Sequence, residues 1–380
     1  MRLLVRSLSV TLLAAILACV LVVSAAGAAS FPAPTQKKLA GALNAAWGES
    51  VAPGVVVGVW VGKQGWTSTR GTATAGEKER PALADHTRIG SLTKTFVGTL
   101  VLQLVDEGKL KLTNTLDRWF PWAPGASAIT VRDLGDMGSG INTYTADQGW
   151  LDSYFEAPQA AWKPIDLIKS GISLPPKFAP GEGFFYSNTN FVLLGQIAEK
   201  VTGKPIARLL REHIFEPLGM SQTTYPFATA MPKPYLSGYT KQSASGTGSR
   251  IVDATHWNPT AFGAAGQIVS TLGDMKSFAE AVGAGSLLSD AGHKAQLRPN
   301  PFAVKGGKTY DFGVGTDNGW ITHAGTVPGY NTDFGYLPKL HATIVVLANT
   351  DIEADPGVGA APSIMSALSA VIAPGNVSTP

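Results

Sequence analysis

Strand-like runs near both ends of the chain constrain the fold more than any other sequence feature. Gly54–Val61 is an unbroken apolar, β-branched run, and Ala342–Ala348 is another. Such runs are typical of strands covered on both faces. We therefore predict an α/β (α+β) fold, with an antiparallel sheet flanked by helices, formed from N- and C-terminal segments, and an inserted, mostly helical subdomain. The α/β subdomain is placed at 33–85 and 263–374 and the helical subdomain at 86–262, within one integrated catalytic domain.

Periodicity and turn residues predict further elements. A helix follows Asn188 and is closed by Gly203, and another runs from Ser91 toward Gly108. Lys241–Arg250, in which Ser, Gly and Thr predominate, is expected to be a mobile loop. The other predicted strands and helices are strands at Trp66–Gly71, Trp320–Gly325 and Thr332–Leu337, and helices at Thr35–Trp47, Ile129–Gly140, Ile206–Phe215 and Val358–Ile372.

Residues 1–28 have the pattern of a bacterial-type secretory signal peptide. A basic front precedes the almost wholly apolar run Leu8–Val23 and a small-residue cleavage site at Ala26–Ala28. The single cysteine, Cys19, lies in a loose lipoprotein-like box, so lipid anchoring there is the alternative to ordinary cleavage. We expect a secreted, extracytoplasmic protein whose mature chain has no cysteine nucleophile and no disulfide.

The composition excludes several classes of protein. Lysine and arginine number 30 and aspartate and glutamate 27, without a basic cluster, which argues against a nucleic-acid partner. Beyond the predicted signal no apolar stretch is long enough to cross a membrane, so we expect no stable membrane span in the mature chain. The histidines have no metal-ligand spacing. We therefore expect neither a metal nor another cofactor.

Ser91 and Lys94 form a candidate catalytic pair at the start of a predicted helix. Their spacing places both side chains on one helix face. Free backbone N–H groups at a helix start favour negative charge, so a hydroxyl there can be stabilised as it becomes a nucleophile. A lysine whose pKa is lowered by burial can take the hydroxyl proton. The pair alone is equally typical of a helix-capping serine followed by a solvated lysine.

Two further motifs favour the catalytic interpretation of Ser91 and Lys94. Ser91-Leu92-Thr93-Lys94, Tyr186-Ser187-Asn188 and His323-Ala324-Gly325 resemble, in this order, the three motifs of the penicillin-recognising serine hydrolases. Within that family they resemble the branch of class C β-lactamases and secreted D-alanyl-D-alanine carboxypeptidases, which also includes esterases. The resemblance implies a β-lactamase/transpeptidase-like fold and a serine hydrolase that forms an acyl-enzyme.

The resemblance also implies roles for the reacting groups. Ser91 would attack a carbonyl carbon, and Lys94 and Tyr186 would share the acid and base work as a coupled unit. Which of the two is the general base stays open. The oxyanion hole would be the backbone N–H groups of Ser91 and Thr326. Without the other motifs, a tyrosine before a helix is more often a packing residue.

Four other residues are assigned to substrate binding. Asn188 would hold the substrate's amide, and Gly325 lies in the strand edge that could pair with an extended substrate. His323 would form the pocket wall and add a proton-dependent donor, although a strand histidine is usually structural. Trp257 resembles an aromatic pocket residue of the carboxypeptidase branch, and a core position is equally compatible with the sequence.

Departures from the family pattern leave the substrate open. Ala324 stands where the family usually has threonine, Gly313–Gly319 contains no arginine, and Met137–Gly140 replaces the usual His-Thr-Ser-Gly. Two lost carboxylate anchors weaken the case for a D-alanyl peptide or a penicillin. We predict D-alanyl-D-alanine carboxypeptidase- or β-lactamase-like activity on a small-molecule or peptide substrate. The alternatives are an esterase of the same family and a non-catalytic protein that binds cell-wall peptide; the oligomeric state is not readable.

Overall fold

The structure, a computed structural model, describes residues 28–380. The strands are β1 (Ala29–Ser30), β2 (Gly54–Val61), β3 (Gln64–Gly71), β4 (Thr87–Arg88), β5 (Tyr239–Ser243), β6 (Gly246–Asp253), β7 (Val269–Ser270), β8 (Lys308–Tyr310), β9 (Gly315–Asp317), β10 (Trp320–Val327), β11 (Tyr330–Leu337) and β12 (Ala342–Ala348). The helices are α1 (Ala33–Glu49), α2 (Thr93–Asp106), α3 (Val131–Gly135), α4 (Gln148–Glu156), α5 (Pro164–Ser173), α6 (Asn188–Thr202), α7 (Ile206–Leu210), α8 (Leu272–Ala284), α9 (Asp290–Gln296) and α10 (Ala360–Ile372).

Distant parts of the chain meet in one eight-stranded sheet, ordered β1-β3-β2-β12-β11-β10-β9-β8. The strand β2 pairs with β12, and Val57 lies opposite Val346. Neighbouring strands are antiparallel, except β1 and β3 at the edge. The prediction of a sheet built from N- and C-terminal segments is confirmed.

Helices cover both faces of the sheet. On one face α1 and α10 pack against the strands, so that Leu43 and Leu368 share a core with Val57. On the other face α2 and α8 bury Val56 and Phe278 in a larger core. Successive side chains of β2 therefore enter different cores, as the predicted two-sided strand requires. Each fully buried aliphatic side chain contributes about 1.5–3 kcal/mol.

The mostly helical insertion lies between β4 and β7 and contains α2 to α7. Its central pair is α2 packed on α6. The predicted stop of α6 is confirmed, because Gly203 caps the helix with a φ of +69°, a left-handed conformation that glycine adopts without strain. The subdomain boundaries 33–85, 263–374 and 86–262 stay a proposal.

Two local predictions are wrong. Lys241–Arg250 is not a loop, because β5 and β6 form a hairpin there, and Thr240 ties it to the rest of the protein by a 2.9 Å hydrogen bond to Asp351. That distant carboxylate is invisible to local sequence patterns. The helix predicted at Ile129–Gly140 spans only α3, because Met137 has a φ of +64° and turns the chain away.

The predicted signal peptide and Cys19 lie outside the described residues, apart from residue 28. Within residues 28–380 we find no helix that is both long enough and apolar enough to cross a membrane.

Candidate active site

Ser91 lies in a 3₁₀ turn, Gly90–Leu92, that leads directly into α2. Gly90 has a φ of +52°, and a β-carbon on it would lie 2.8 Å from the backbone nitrogen of Thr326. A glycine is therefore needed on both steric and conformational grounds. This close approach places Ser91 next to β10, with its side chain partly exposed in a cleft.

Lys94 is completely buried and forms a hydrogen bond with Ser91. Its Nζ lies 2.9 Å from the Ser91 Oγ and donates to the Ala265 carbonyl oxygen, also at 2.9 Å. Burial lowers the pKa of Lys94 well below its ordinary value. A neutral amine at this distance can accept the proton of the serine hydroxyl.

Tyr186 completes the group of three. The Lys94 Nζ lies 4.8 Å from the centre of its ring, and Tyr186 and Ser91 line the same cleft. Burial raises the pKa of Tyr186, and the nearby Ser91 hydroxyl opposes that rise only in part. The two environments thus lower the pKa of the amine and raise the pKa of the phenol, which favours a neutral base beside a protonated acid. The structure brings all three predicted catalytic side chains together.

The strand β10 presents a free edge beside Ser91. Among the described strands, β9 pairs with it only at Trp320–Thr322, and beyond that point β10 pairs on its other side with β11 alone. The hairpin closed by Val327 and Tyr330 fixes the alternation, so the backbone N–H and C=O groups of Ala324 and Thr326 point to the free edge. The N–H of Thr326 can therefore serve an oxyanion hole together with that of Ser91.

His323 is buried and held by two neighbours. Its Nδ1 lies 2.6 Å from the Ala324 carbonyl oxygen, so Nδ1 must carry the proton, and its Nε2 lies 3.4 Å from the Tyr310 hydroxyl. Burial lowers the pKa of His323 to about 3, a proton on Lys94 acts in the same direction, and the bond to Ala324 opposes both. A neutral ring accepts from Tyr310 and offers the cleft no proton-dependent donor at neutral pH. That role of His323 stays a prediction, which its burial disfavours.

Asn188 and Trp257 differ in their placement. Asn188 begins α6 and lines the cleft, and its Nδ2 donates to the Thr145 Oγ1 at 3.3 Å. Trp257 does not line the cleft. Its ring packs edge-on against Tyr154 at 5.6 Å and Phe155 at 5.8 Å, so the structure does not bring it to the other predicted site residues.

Met137–Gly140 supports the loop that carries Tyr186. The Met137 Sδ accepts from the Ser187 N–H at 3.3 Å, and the Ser139 hydroxyl donates to the Asn190 Oδ1 at 2.8 Å. Met137 stands where the family pattern has a histidine, and it thus supplies a polarisable sulfur as the acceptor next to the second motif.

The cleft has a volume of about 540 Å³. It extends from Ser91 along β10 to residues that the sequence reasoning did not single out. No local motif could identify them, because β8, β9 and the segment after α10 meet the site only in the folded chain. These further lining residues include Lys308, Tyr310, Asp317, Asp333 and Ser378–Pro380.

The fold and the cleft at which Ser91, Lys94 and Tyr186 meet are those of a serine hydrolase. The beta-lactamase family model matches residues 39–369, and the chain belongs to that family. The predicted resemblance and fold are confirmed.

Individual relatives agree with the family. The chain is 32% identical over 185 residues, 46% of each protein, to the D-alanyl-D-alanine-carboxypeptidase/endopeptidase AmpH of Escherichia coli. It is 27% identical over 279 residues to a penicillin-binding protein of Bacillus subtilis, covering 69% of this chain and 60% of that protein. The chain thus spans less than two thirds of the length of these relatives. A D-stereospecific amidohydrolase from Streptomyces has 29% identity and a TM-score of 0.77, covering 89% of this chain and 99% of that one.

Proposed function

We propose that this protein is a secreted hydrolase that cleaves an amide bond through an acyl-enzyme on Ser91, with peptides or amides of D-amino acids as its substrate class. The observation that carries the proposal is the 2.9 Å contact between the Ser91 Oγ and the Nζ of the wholly buried Lys94. A buried lysine without an ion-pair partner among residues 28–380 costs folding free energy, and a catalytic role accounts for that cost.

Acylation would begin with Lys94 as the base. The Ser91 oxygen attacks the carbonyl carbon while its proton passes to the Nζ of Lys94, and the carbonyl oxygen becomes an oxyanion between the N–H groups of Ser91 and Thr326. When the carbon–nitrogen bond breaks, the leaving nitrogen takes a proton from Tyr186, which recovers one from Lys94. A water molecule then repeats the attack and releases the acid. The raised pKa of Tyr186 and the lowered pKa of Lys94 both support this order.

The free edge of β10 supports an extended substrate that lies along the strand on both sides of the bond to be cleaved. The outward-pointing backbone groups of Ala324 and Thr326 can pair with a peptide laid alongside, and Asn188 can bond its amide. The names of the carboxypeptidase and the amidohydrolase relatives support D-amino acids in this position. Residues 1–28 support secretion, where cell-wall peptides are accessible.

An esterase of the same family is the second candidate. It is favoured by Ala324, which removes a hydroxyl that could bind a substrate carboxylate. A non-catalytic peptide-binding protein is disfavoured by the intact contact of Ser91 with Lys94.

Intact-mass measurement tests the proposal. The protein is exposed to a fluorophosphonate and to penicillin, with Ser91→Ala as the matched control, and turnover is compared on a D-alanyl-D-alanine peptide, a D-amino-acid amide and a p-nitrophenyl ester. We expect one covalent adduct that Ser91→Ala abolishes, together with amide turnover. Turnover of the ester alone would support the esterase. Absence of any adduct would leave only the binding protein.

A further inference from the structure

The substrate space has two branches that meet at Thr326. The first is the cleft that contains Ser91 and Tyr186, and the second is a cleft of about 590 Å³ lined by Thr326, Phe155 and Asp351 among others. Tyr186 lines the first branch and not the second. Because the proton donor must reach the leaving atom, the leaving group lies in the first branch and the acyl part extends into the second.

The chain segment after α10 forms part of the wall of the first branch. Asp317 at the end of β9 is buried, and its carboxylate accepts from the Thr379 backbone N–H at 2.6 Å and from the Ser378 hydroxyl at 3.0 Å. Lys308 on β8 donates from its Nζ to the carbonyl oxygens of Thr379 at 3.1 Å and Pro380 at 2.9 Å. Bonds to a charged partner are stronger than neutral ones, so these contacts hold the segment in place.

Further hydrogen bonds fix the segment at residues 376–378. The Asn318 side chain donates to the Val377 carbonyl oxygen at 2.8 Å, and the Asn376 side chain donates to the Asn318 carbonyl oxygen at the same distance. The Ser378 N–H donates to the Ser369 hydroxyl of α10 at 2.9 Å. Residues 376–380 are thus tied to two strands and to a helix, and Ser378–Pro380 line the same cleft as Ser91.

We infer that Ser378–Pro380 form an end wall that limits the length of the leaving group, so that the enzyme prefers short leaving groups to long ones. The inference rests on the proposed function. A longer leaving group would have to displace the wall, which would break the contacts to Asp317 and Lys308. A segment that served only stability would leave the choice between short and long leaving groups unchanged.

The test compares leaving groups of different length on one acyl part. Amides and thioesters of one N-acyl-D-alanine are prepared with short leaving groups (ammonia or glycine for the amides, a small thiol for the thioesters) and with triglycine-containing ones, and the long-to-short ratio of kcat/KM is measured in each series. One variant is a deletion of residues 376–380. The other is Asp317→Asn, which keeps the segment but weakens the hydrogen bonds that the residue at position 317 makes to Ser378 and Thr379. Asp166→Asn, at an exposed position of α5, is the matched control.

We expect the deletion to raise the ratio about tenfold or more and Asp317→Asn to raise it less, while Asp166→Asn leaves it unchanged. An unchanged ratio in folded variants, judged by wild-type rates of fluorophosphonate labelling at Ser91, would overturn the inference while the proposed function stands. An equal change for all leaving groups would overturn it as well, because the segment would then act as a general plug. If Ser91 forms no acyl-enzyme with any substrate, the proposed function itself fails, and the inference with it.

Discussion

A β-carbon on Gly325 would lie 2.1 Å from the carbonyl oxygen of Ile89, which is closer than any real contact of that kind. The third motif and the segment before Ser91 therefore touch backbone to backbone. The Thr332 hydroxyl donates to the same Ile89 oxygen at 2.9 Å and strengthens the junction. This contact sets the distance between the two N–H groups that would form the oxyanion hole.

Gly325→Ala should therefore separate β10 from Ser91. We expect kcat to fall by about 10²–10³-fold, the cost of losing one oxyanion donor. The measurement is kcat and KM on whichever amide or ester is turned over. Gly41→Ala on α1 is the matched control, since nothing lies within 4 Å of its added β-carbon. Full activity in a folded Gly325→Ala variant would refute the assignment of this edge to the oxyanion hole.

The pH dependence of kcat/KM should follow Lys94. Since burial lowers its pKa, the amine loses its proton below the usual pH range of lysine, and activity should rise with pH through that lowered value. The raised pKa of Tyr186 keeps the phenol protonated, so activity should fall only in strongly alkaline solution. Lys94→Met should remove the rising limb and reduce acylation by about 10²–10⁴-fold. A rising limb that survives in Lys94→Met but disappears in His323→Gln would transfer the role to the histidine.

Asp333 should make the protein less stable as the pH rises from about 4 to about 8. The Thr322 hydroxyl donates to the Phe334 carbonyl oxygen at 2.6 Å and only at 3.2 Å to the Asp333 Oδ1, so it compensates the buried carboxylate poorly. Burial raises its pKa to about 8, and the charge of Asp317 acts the same way. The unfolded chain releases this proton near pH 4 while the folded chain keeps it, so unfolding becomes easier as the pH increases.

Asp333→Asn removes this effect, because the amide has nearly the shape of the carboxyl group, keeps an oxygen that can accept from Thr322 and does not titrate. Between pH 5 and pH 8 the Tm of the variant should therefore rise relative to that of wild type. The rise should be about 2 °C for each kcal/mol of unfolding free energy that the wild type loses. Thermal unfolding at several pH values measures it, and Asp166→Asn should give a constant difference. A constant difference for Asp333→Asn as well would mean that the carboxyl is ionised in the folded protein.

Asn188→Ala tests whether the Asn188 side chain hydrogen-bonds to the substrate amide. We expect kcat/KM for an amide to fall about tenfold, the equivalent of one hydrogen bond of about 1.4 kcal/mol. Thr145→Val should cost less, because it removes only the 3.3 Å contact that orients the Asn188 side chain. Steady-state kinetics on the two variants and on wild type gives the comparison, and an equal loss in both would assign Asn188 a purely structural role.

The sequence by itself determined the central strands of the sheet and the order of the motifs. Gly54–Val61 and Ala342–Ala348 are short, apolar and β-branched, which favours strands buried on both faces, and they pair as expected. The spacing of Ser91 and Lys94 on one helix likewise fixes their proximity, because it depends only on helix geometry.

The tertiary structure decided what those residues can do. The burial that lowers the pKa of Lys94, the Tyr310 hydroxyl beside His323, and the wall of Ser378–Pro380 all depend on segments far apart in the chain. Trp257 lies away from the cleft for the same reason. Local patterns report the intrinsic preferences of a segment, whereas desolvation and cavity shape are set by whatever the rest of the chain packs against it.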